Sequence, residues 1–453
     1  MNGCRIIMVL NTINEMFDFM RDIEDDYRAE IKGENLSAFT RNRKVTPLPL
    51  LLQMFGQKGK TQQAELLDFY KDIDRPLDIS TVGFFQSRMK FNEGAVRLMS
   101  NDFITDMYDK HDDSMVKLND YLVTAIEGSK FIVPSTQENE DYFGRFVPSK
   151  ANPEHSPVMG MMSTLYDCVN KMVLDIQVDE FKASEREFAK AHLEVAKENF
   201  RQKMVTIFDR GYDSIRLVDQ LQESGQKYLF RLPKTTLKTF SDQLEIGEDQ
   251  VFNLNYDRLS TNDYRADSTF RMKLMNTTYP IRLAKIAIGT NADGTVIEEI
   301  LATNLSSDEF DNEGLKELYR LRWEVETAYN VLKNRMKIEE FSGYRKRLIM
   351  QDIYCTVWLY NLTMLKLIEV NQKHTIPQER YKYEMKRNLN AGIGVMKSYF
   401  VKTVMETNKD QKRELLNQIE QLMVKQLIPI RKDRKFKRGN TKNKSRMSYR
   451  YSY

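Results

Sequence analysis

The sequence predicts an α/β core interrupted by an all-β insertion and flanked by helical regions at both ends. Three observations predict it. Between about residue 119 and Leu232, short apolar β-rich runs alternate with helical stretches, the pattern of a sheet covered by helices. Residues 233–300 break that alternation with a second β-rich block. Residues 1–115, and the chain from Glu313 to about 428, carry helical spacing.

In order along the chain, Leu50, Leu51, Leu52, Met54 and Phe55 form one apolar helical segment, and Ala64, Leu66, Leu67 and Phe69 a second. Ser80 or Thr81 caps a third that carries Gln86, Ser87, Arg88 and Lys90. Short helices with exposed basic residues suit a small DNA-binding bundle, and equally a bundle of no special role. A strand over 121–126 is expected to end at Glu127-Gly128-Ser129, and 158–179 reads as two strands around Asp167 to Lys171. A helix over 185–201 and a strand over 204–208 follow, the strand ending at Asp209-Arg210-Gly211-Tyr212. A helix over 214–223 and a strand over 227–232 complete this part. In the insertion, Phe270, Met272 and Leu274 alternate with Arg271 and Lys273, Ile281 and Leu283 flank Arg282, and Asn291-Ala292-Asp293-Gly294 is a hairpin signal. The expected divisions are 1–115, 116–232, 233–300, 301–345, 346–430 and a basic tail, 431–453.

Composition narrows the function. The 453 residues hold 69 Lys+Arg against 65 Asp+Glu, a net charge of +4. Mean hydropathy is −0.56, an ordinary globular profile. No apolar run approaches the ~20 residues that span a bilayer, and the patch from Ile6 to Leu10 is too short for a signal segment. Cys4, Cys168 and Cys355 are far apart, and none of His111, His155, His192 and His374 stands four residues from another. A disulfide framework, a CxxC zinc site and an HExxH protease are excluded, so a metal would need oxygen ligands, which points to magnesium or manganese. Basic residues concentrate at Arg41, Arg43, Lys44, Lys58 and Lys60 and again from Arg431 onward, as a polyanion-binding protein would have them. Gly56…Gly59-Lys60-Thr61 and Gly392-Ile393-Gly394 both fall short of nucleotide-binding loops.

The most informative stretch is 319–333. On one helix, Tyr319, Arg322, Glu326, Asn330 and Lys333 share a stripe, beside an apolar stripe of Leu318, Leu321, Val325, Tyr329, Leu332 and Met336. One face packs; the other presents a carboxylate flanked by two cations and a phenol. Such a face holds a divalent metal and phosphates, or is a salt-bridged surface helix.

The spacing Tyr319-x2-Arg322-x3-Glu326-x6-Lys333 resembles the YREK signature of the DDE transposases of the insertion-sequence-four family, relatives of the transposon-five transposase. Asp209-Arg210-Gly211-Tyr212 resembles that family's second catalytic block, and Ala125-Ile126-Glu127-Gly128-Ser129 its first. Ala302-Thr303-Asn304-Leu305 and Phe341-Ser342-Gly343 also fit, so the likeness runs from about Arg41 to Arg438. The resemblance implies a ribonuclease-H-like core whose β insertion lies between the second and third carboxylates. It implies a bacterial enzyme of the cytoplasm and nucleoid that cuts transposon ends and joins the 3′-hydroxyls to target DNA by in-line phosphoryl transfer. Glu127, Asp209 and Glu326 would then be catalytic and hold Mg²⁺, with Mn²⁺ able to substitute. Tyr319, Arg322, Lys333 and Arg210 would contact DNA. Partners would be duplex DNA carrying terminal inverted repeats, target DNA and a second copy of the chain, with no membrane. The insertion has no tryptophan, the two being Trp323 and Trp358, so a flipped base would have to stack on a tyrosine or phenylalanine, or the hairpin step differs.

One residue departs from that pattern: Glu127 stands where aspartate is expected. Three readings are open. Glu127 serves with a shifted backbone, the copy is catalytically impaired and only binds DNA, or another acid such as Asp120 or Asp167 substitutes. On the mismatch alone, Glu127→Asp is expected to raise Mg²⁺-dependent cleavage. A carboxylate-pair glycosidase is disfavoured by two tryptophans and basic ends.

Overall fold

The computed structural model describes residues 11–40, 45–147, 156–257, 261, 264–290 and 294–431. Helices α1 (Thr12–Arg21), α2 (Ile23–Asp26), α3 (Arg28–Lys32), α4 (Pro47–Phe55), α5 (Gln62–Asp72), α6 (Thr81–Arg88) and α7 (Glu93–Lys110) precede β1 (Leu122–Ile132). Then come α8 (Gln137–Phe143), β2 (Met159–Asp167), β3 (Met172–Glu180), α9 (Glu185–Asn199), β4 (Met204–Phe208), α10 (Ile215–Glu223) and β5 (Lys227–Leu232). The insertion holds α11 (Lys238–Ser241), β6 (Asp249–Asn255), α12 (Ser268–Asn276), β7 (Thr278–Thr290) and β8 (Val296–Thr303). The chain continues through α13 (Asn312–Arg320), α14 (Trp323–Asn334), α15 (Lys346–Lys373), β9 (Met385–Arg387), α16 (Leu389–Met405), α17 (Lys409–Lys425) and β10 (Leu427–Pro429).

One sheet of eight strands runs in the order β3-β2-β1-β4-β5-β8-β7-β6. β1, β4 and β5 are parallel neighbours and β2 is antiparallel to both β1 and β3. A 3-2-1-4-5 order with only the second strand reversed, and helices α9 and α10 as the crossovers, is the ribonuclease-H-like arrangement. The β-rich block continues the same sheet, because β8 pairs antiparallel with β5.

Two expectations are corrected in detail. β1 does not end at Glu127-Gly128-Ser129; it runs on to Ile132 because β2 pairs with it from Thr124 to Ile132. Residues 268–276 are helical. Asp267 caps α12 by accepting from Phe270 N–H. Phe270 and Leu274 stand four apart, a spacing that a helix face satisfies as well as a strand does, and Met272 between them is exposed. The remainder of the insertion is mainly β, and β7 and β8 pair as a hairpin whose Gly294 has φ +86. Asn291, Ala292 and Asp293 lie outside the described residues.

The long helix α15 is the mast of the helical part. Its Trp358 is fully buried, with its ring 5.1 Å from Phe55 of α4, 6.2 Å from Phe103 of α7 and 6.0 Å from Phe19 of α1. The N-terminal helices therefore share one core with the C-terminal ones. Of the basics expected on them, Lys58 and Lys60 are exposed and Arg88 is not. Arg88 is wholly buried, Lys58 pairs with Asp72, and Lys60 with Asp68. Arg41, Arg43 and Lys44, and the tail from Lys432 onward, lie outside the described residues. No helix among the described residues is long and apolar enough to cross a membrane.

Candidate active site

Parallel pairing brings the first two acids together. Ala125 of β1 pairs with Ile207 of β4. Glu127 and Asp209 each stand two residues beyond that last pair, on neighbouring segments. Asp209 follows the last residue of β4 and opens the short turn Arg210–Tyr212.

The third segment comes from α13 and α14. The expected single helix is two, joined through Leu321 and Arg322 by tight i→i−3 hydrogen bonds, Leu321 N–H to Leu318 and Arg322 N–H to Tyr319. Arg322 keeps αR backbone, so the polar stripe survives the joint. Leu318, Val325, Tyr329, Leu332 and Met336 are buried as expected, and Leu321 is half-buried.

Arg322 is the hub. Its Nη1 donates to Glu127 Oε2 at 3.0 Å and its Nη2 to Glu326 Oε1 at 2.8 Å. Its side chain is 3% exposed, so the guanidinium is committed to carboxylates rather than open to solvent. Tyr319 donates its hydroxyl to Asp209 Oδ1 at 3.1 Å. Burial, opposed by Arg322 and reinforced by Asp209, Glu185 and Glu326, pushes the Glu127 carboxyl up to about 7. Lys333 donates to the Lys130 carbonyl and pairs with Glu339 at 3.2 Å. Arg210 pairs with Glu299 at 2.7 Å while its side chain stays 41% exposed. The structure thus gathers Glu127, Asp209, Glu326, Tyr319 and Arg322, and sets Arg210 and Lys333 in contacts of their own.

The two alternative acids are elsewhere. Asp167 is fully buried and accepts from Tyr108, Asn170 and the Val169 N–H, closing the β2–β3 turn. Asp120 is 75% exposed beside Lys203, before β1 begins.

Several residues escaped sequence reasoning. Arg231 of β5 lies 3.8 Å from Asp209 and also binds Glu299. A lone cation in the run Tyr-Leu-Phe-Arg-Leu was the available signal. Tyr329 donates to the Glu127 carbonyl at 2.8 Å, so a stripe residue taken as apolar also pins the strand. Trp323 is 48% exposed, with the Arg322 guanidinium 4.8 Å from its ring, whereas Trp358 is buried.

Behind the site, His192 bridges Asp175 Oδ2 at 2.8 Å and Ser163 Oγ at 3.1 Å, and Ser163 Oγ donates to the Glu127 carbonyl at 3.4 Å. The order resembles a hydrolytic triad, but all three residues are fully buried and no substrate can reach them. Burial raises the Asp175 carboxyl, and the His192 hydrogen bond and charge, with Arg97, outweigh it and hold it well below the usual range. A depressed carboxylate stabilises the fold above its unfolded pKa near 4, and that stabilisation is lost as pH falls toward the folded value. Asp175→Asn is therefore expected to lower stability at neutral pH and to flatten its decline between about pH 5 and pH 3. Urea unfolding at several pH values checks this; an unchanged acid slope counts against it.

The donors suit a divalent cation in kind. Glu127, Asp209, Glu326 and the neighbouring Glu185 are all oxygen ligands, as magnesium and manganese require. Their mutual repulsion on a half-buried Glu127 marks a local excess of negative charge. Among the described residues no three acids already converge as a ligand set, and Arg322 supplies the positive charge between Glu127 and Glu326.

The transposase DDE domain family matches residues 118–362. The chain is 21% identical over 250 residues to the transposase InsG for insertion sequence element IS4 of Escherichia coli (strain K12), covering 54% of this chain. That match spans about half, 52%, of the relative's length. Among solved structures, the piggyBac transposase synaptic complex with hairpin DNA aligns over 92% of this chain and 86% of that one, with a TM-score of 0.44 and 11% identity.

Proposed function

The chain belongs to the transposase DDE domain family, and from that premise we propose that it is an insertion-sequence transposase that cuts the ends of its element and joins their 3′-hydroxyls to target DNA. The observation that carries this is the pair of links between separate segments, Arg322 to both Glu127 and Glu326, and Tyr319 to Asp209.

Each residue's part follows from its place. Glu127, Asp209 and Glu326 would hold Mg²⁺, with Mn²⁺ able to substitute. When bound, such cations activate the attacking oxygen and stabilise the leaving one. Tyr319 fixes the rotamer of Asp209. Arg322 holds the arms of Glu127 and Glu326 in the unloaded site, and its planar fork matches a phosphate when DNA arrives. Arg210 and Lys333 flank the acids and neutralise phosphates on either side. Trp323, exposed at the start of α14, offers a further ring for a displaced base. Residues 1–115 and the tail 431–453 bind duplex DNA outside the cut, and two copies of the chain act on two ends.

The Arg322 contact favours an outcome for Glu127→Asp opposite to the one expected from the mismatch alone. Aspartate at 127 would withdraw the carboxylate by about 1.3 Å, and displacements of that size cost on the order of 100-fold in a preorganised site. Glu127→Asp is expected to cut more slowly than the wild type, by at least about 10-fold. Faster cutting would mean the site is built for aspartate.

The test is a donor plasmid carrying the element between its own ends, incubated with the full chain in Mg²⁺ or Mn²⁺. Excision of the element is expected. Binding to the ends without strand breakage in either metal overturns the enzymatic reading in favour of a silent end-binding protein.

A further inference from the structure

We infer that Glu185 is a fourth carboxylate of the catalytic centre, placed to ligate the divalent cation beside Glu127 and Asp209. The inference rests on the functional reading above.

Glu185 is the first residue of α9, just beyond the end of β3. Its carboxylate lies against the backbone of Gly128, the residue after Glu127. A Cβ built on Gly128 would stand 2.5 Å from Glu185 Oε1, and equally close to Met161 Cε. Both atoms are the far ends of flexible side chains, so the contact locates the Glu185 carboxylate beside Gly128. The next residue, Arg186, donates its Nε–H to the Gly211 carbonyl at 3.3 Å, which ties the start of α9 to the turn that begins at Asp209. Glu187, also in the first turn of α9, is occupied with Lys190 at 2.6 Å. Glu185 has no hydrogen-bond or ion-pair partner among the described residues.

A second, independent observation points to the same space. Tyr212, on the Asp209 turn, is 2% exposed, and its hydroxyl has no hydrogen-bond partner among the described residues. A buried hydroxyl is costly to leave unpaired, so such a group marks a place where something is received. Burial, then the charges of Glu185 and Glu127, raise that phenol well above its ordinary value. The acids available near Glu127 therefore include Glu185, and neither Asp120 nor Asp167. A Glu127–Glu185 pair has the reach to compensate for a first acid that is not aspartate.

Binding of Mn²⁺ alone to the full chain, measured by calorimetry and by the Mn²⁺ electron paramagnetic resonance signal, tests this without any catalytic readout. Glu185→Gln is expected to weaken Mn²⁺ binding at least tenfold, Asp209→Asn to weaken it similarly, and Glu187→Gln to leave it unchanged. Glu185→Asp keeps the charge and the helix start, and serves should Glu185→Gln fail to fold; it is expected to weaken binding several-fold. Affinity within twofold of the wild type in the folded Glu185 variants, with Asp209→Asn still weakened, overturns the role of Glu185 and leaves the active-site reading standing. Absence of Mn²⁺ binding by the wild type, or binding indifferent to Asp209→Asn, overturns both.

Discussion

Asp209→Asn abolishes cleavage at the element's ends and leaves the fold intact. The side chain lies at the end of β4, is held by the Tyr319 hydroxyl at 3.1 Å, and has Arg231 at 3.8 Å. The amide keeps the shape and can still accept from Tyr319, so what is lost is the charge. Removing one group that stabilises developing charge in a preorganised site costs about 10²–10³ in rate, and loss of a metal-holding carboxylate is expected to cost at least as much. Nicking of a labelled end duplex, with a thermal melt alongside, gives the comparison. A variant that nicks within a few-fold of the wild type would remove Asp209 from the chemistry.

Arg88→Ala unfolds the helical part or comes close to it. Arg88 donates to Gln351 Oε1 at 2.8 Å, Ser342 Oγ at 2.7 Å and Asp352 Oδ1 at 2.6 Å, with none of its side chain exposed. Asp352 also accepts from the Ser342 N–H at 2.6 Å and from Gln57 at 3.1 Å. The cluster joins α6, α15 and the Phe341-Ser342-Gly343 segment that follows α14. Breaking a buried pair leaves an uncompensated charge, at a cost of about 3–5 kcal/mol. That is a large share of the roughly 5–15 kcal/mol by which domains are stable. Chemical unfolding gives the measurement. A loss under about 1 kcal/mol would mean that water reaches Asp352 and that the cluster is not the clamp described.

Much of this was legible because local pattern and tertiary environment agree. β2, β3, β4 and β5 lie where apolar runs bounded by turn residues place them. The Tyr319–Glu326 stripe was readable because the joint at Arg322 keeps αR backbone, so helical spacing holds across two helices. Phe270 and Leu274 were not readable, since their spacing serves strand and helix alike and an Asp267 cap decided it. Arg88 read as a surface cation because its partners Gln351 and Asp352 stand 263 and 264 residues away. Arg322 was expected to face phosphate; only the fold shows that Glu127, from β1, reaches it first. Glu185 and Tyr212 were silent for the same reason, each gaining its meaning from strands that the sequence does not place beside it.

The central claim is that Glu127, Asp209 and Glu326 act as one phosphoryl-transfer site. Joining of pre-cut element ends bearing free 3′-hydroxyls to a target plasmid tests it most directly, with Glu127→Gln, Asp209→Asn and Glu326→Gln compared with the wild type. Each variant is expected still to bind the ends and to lose joining by at least about 100-fold. Joining by any one of them at close to the wild-type rate would contradict it.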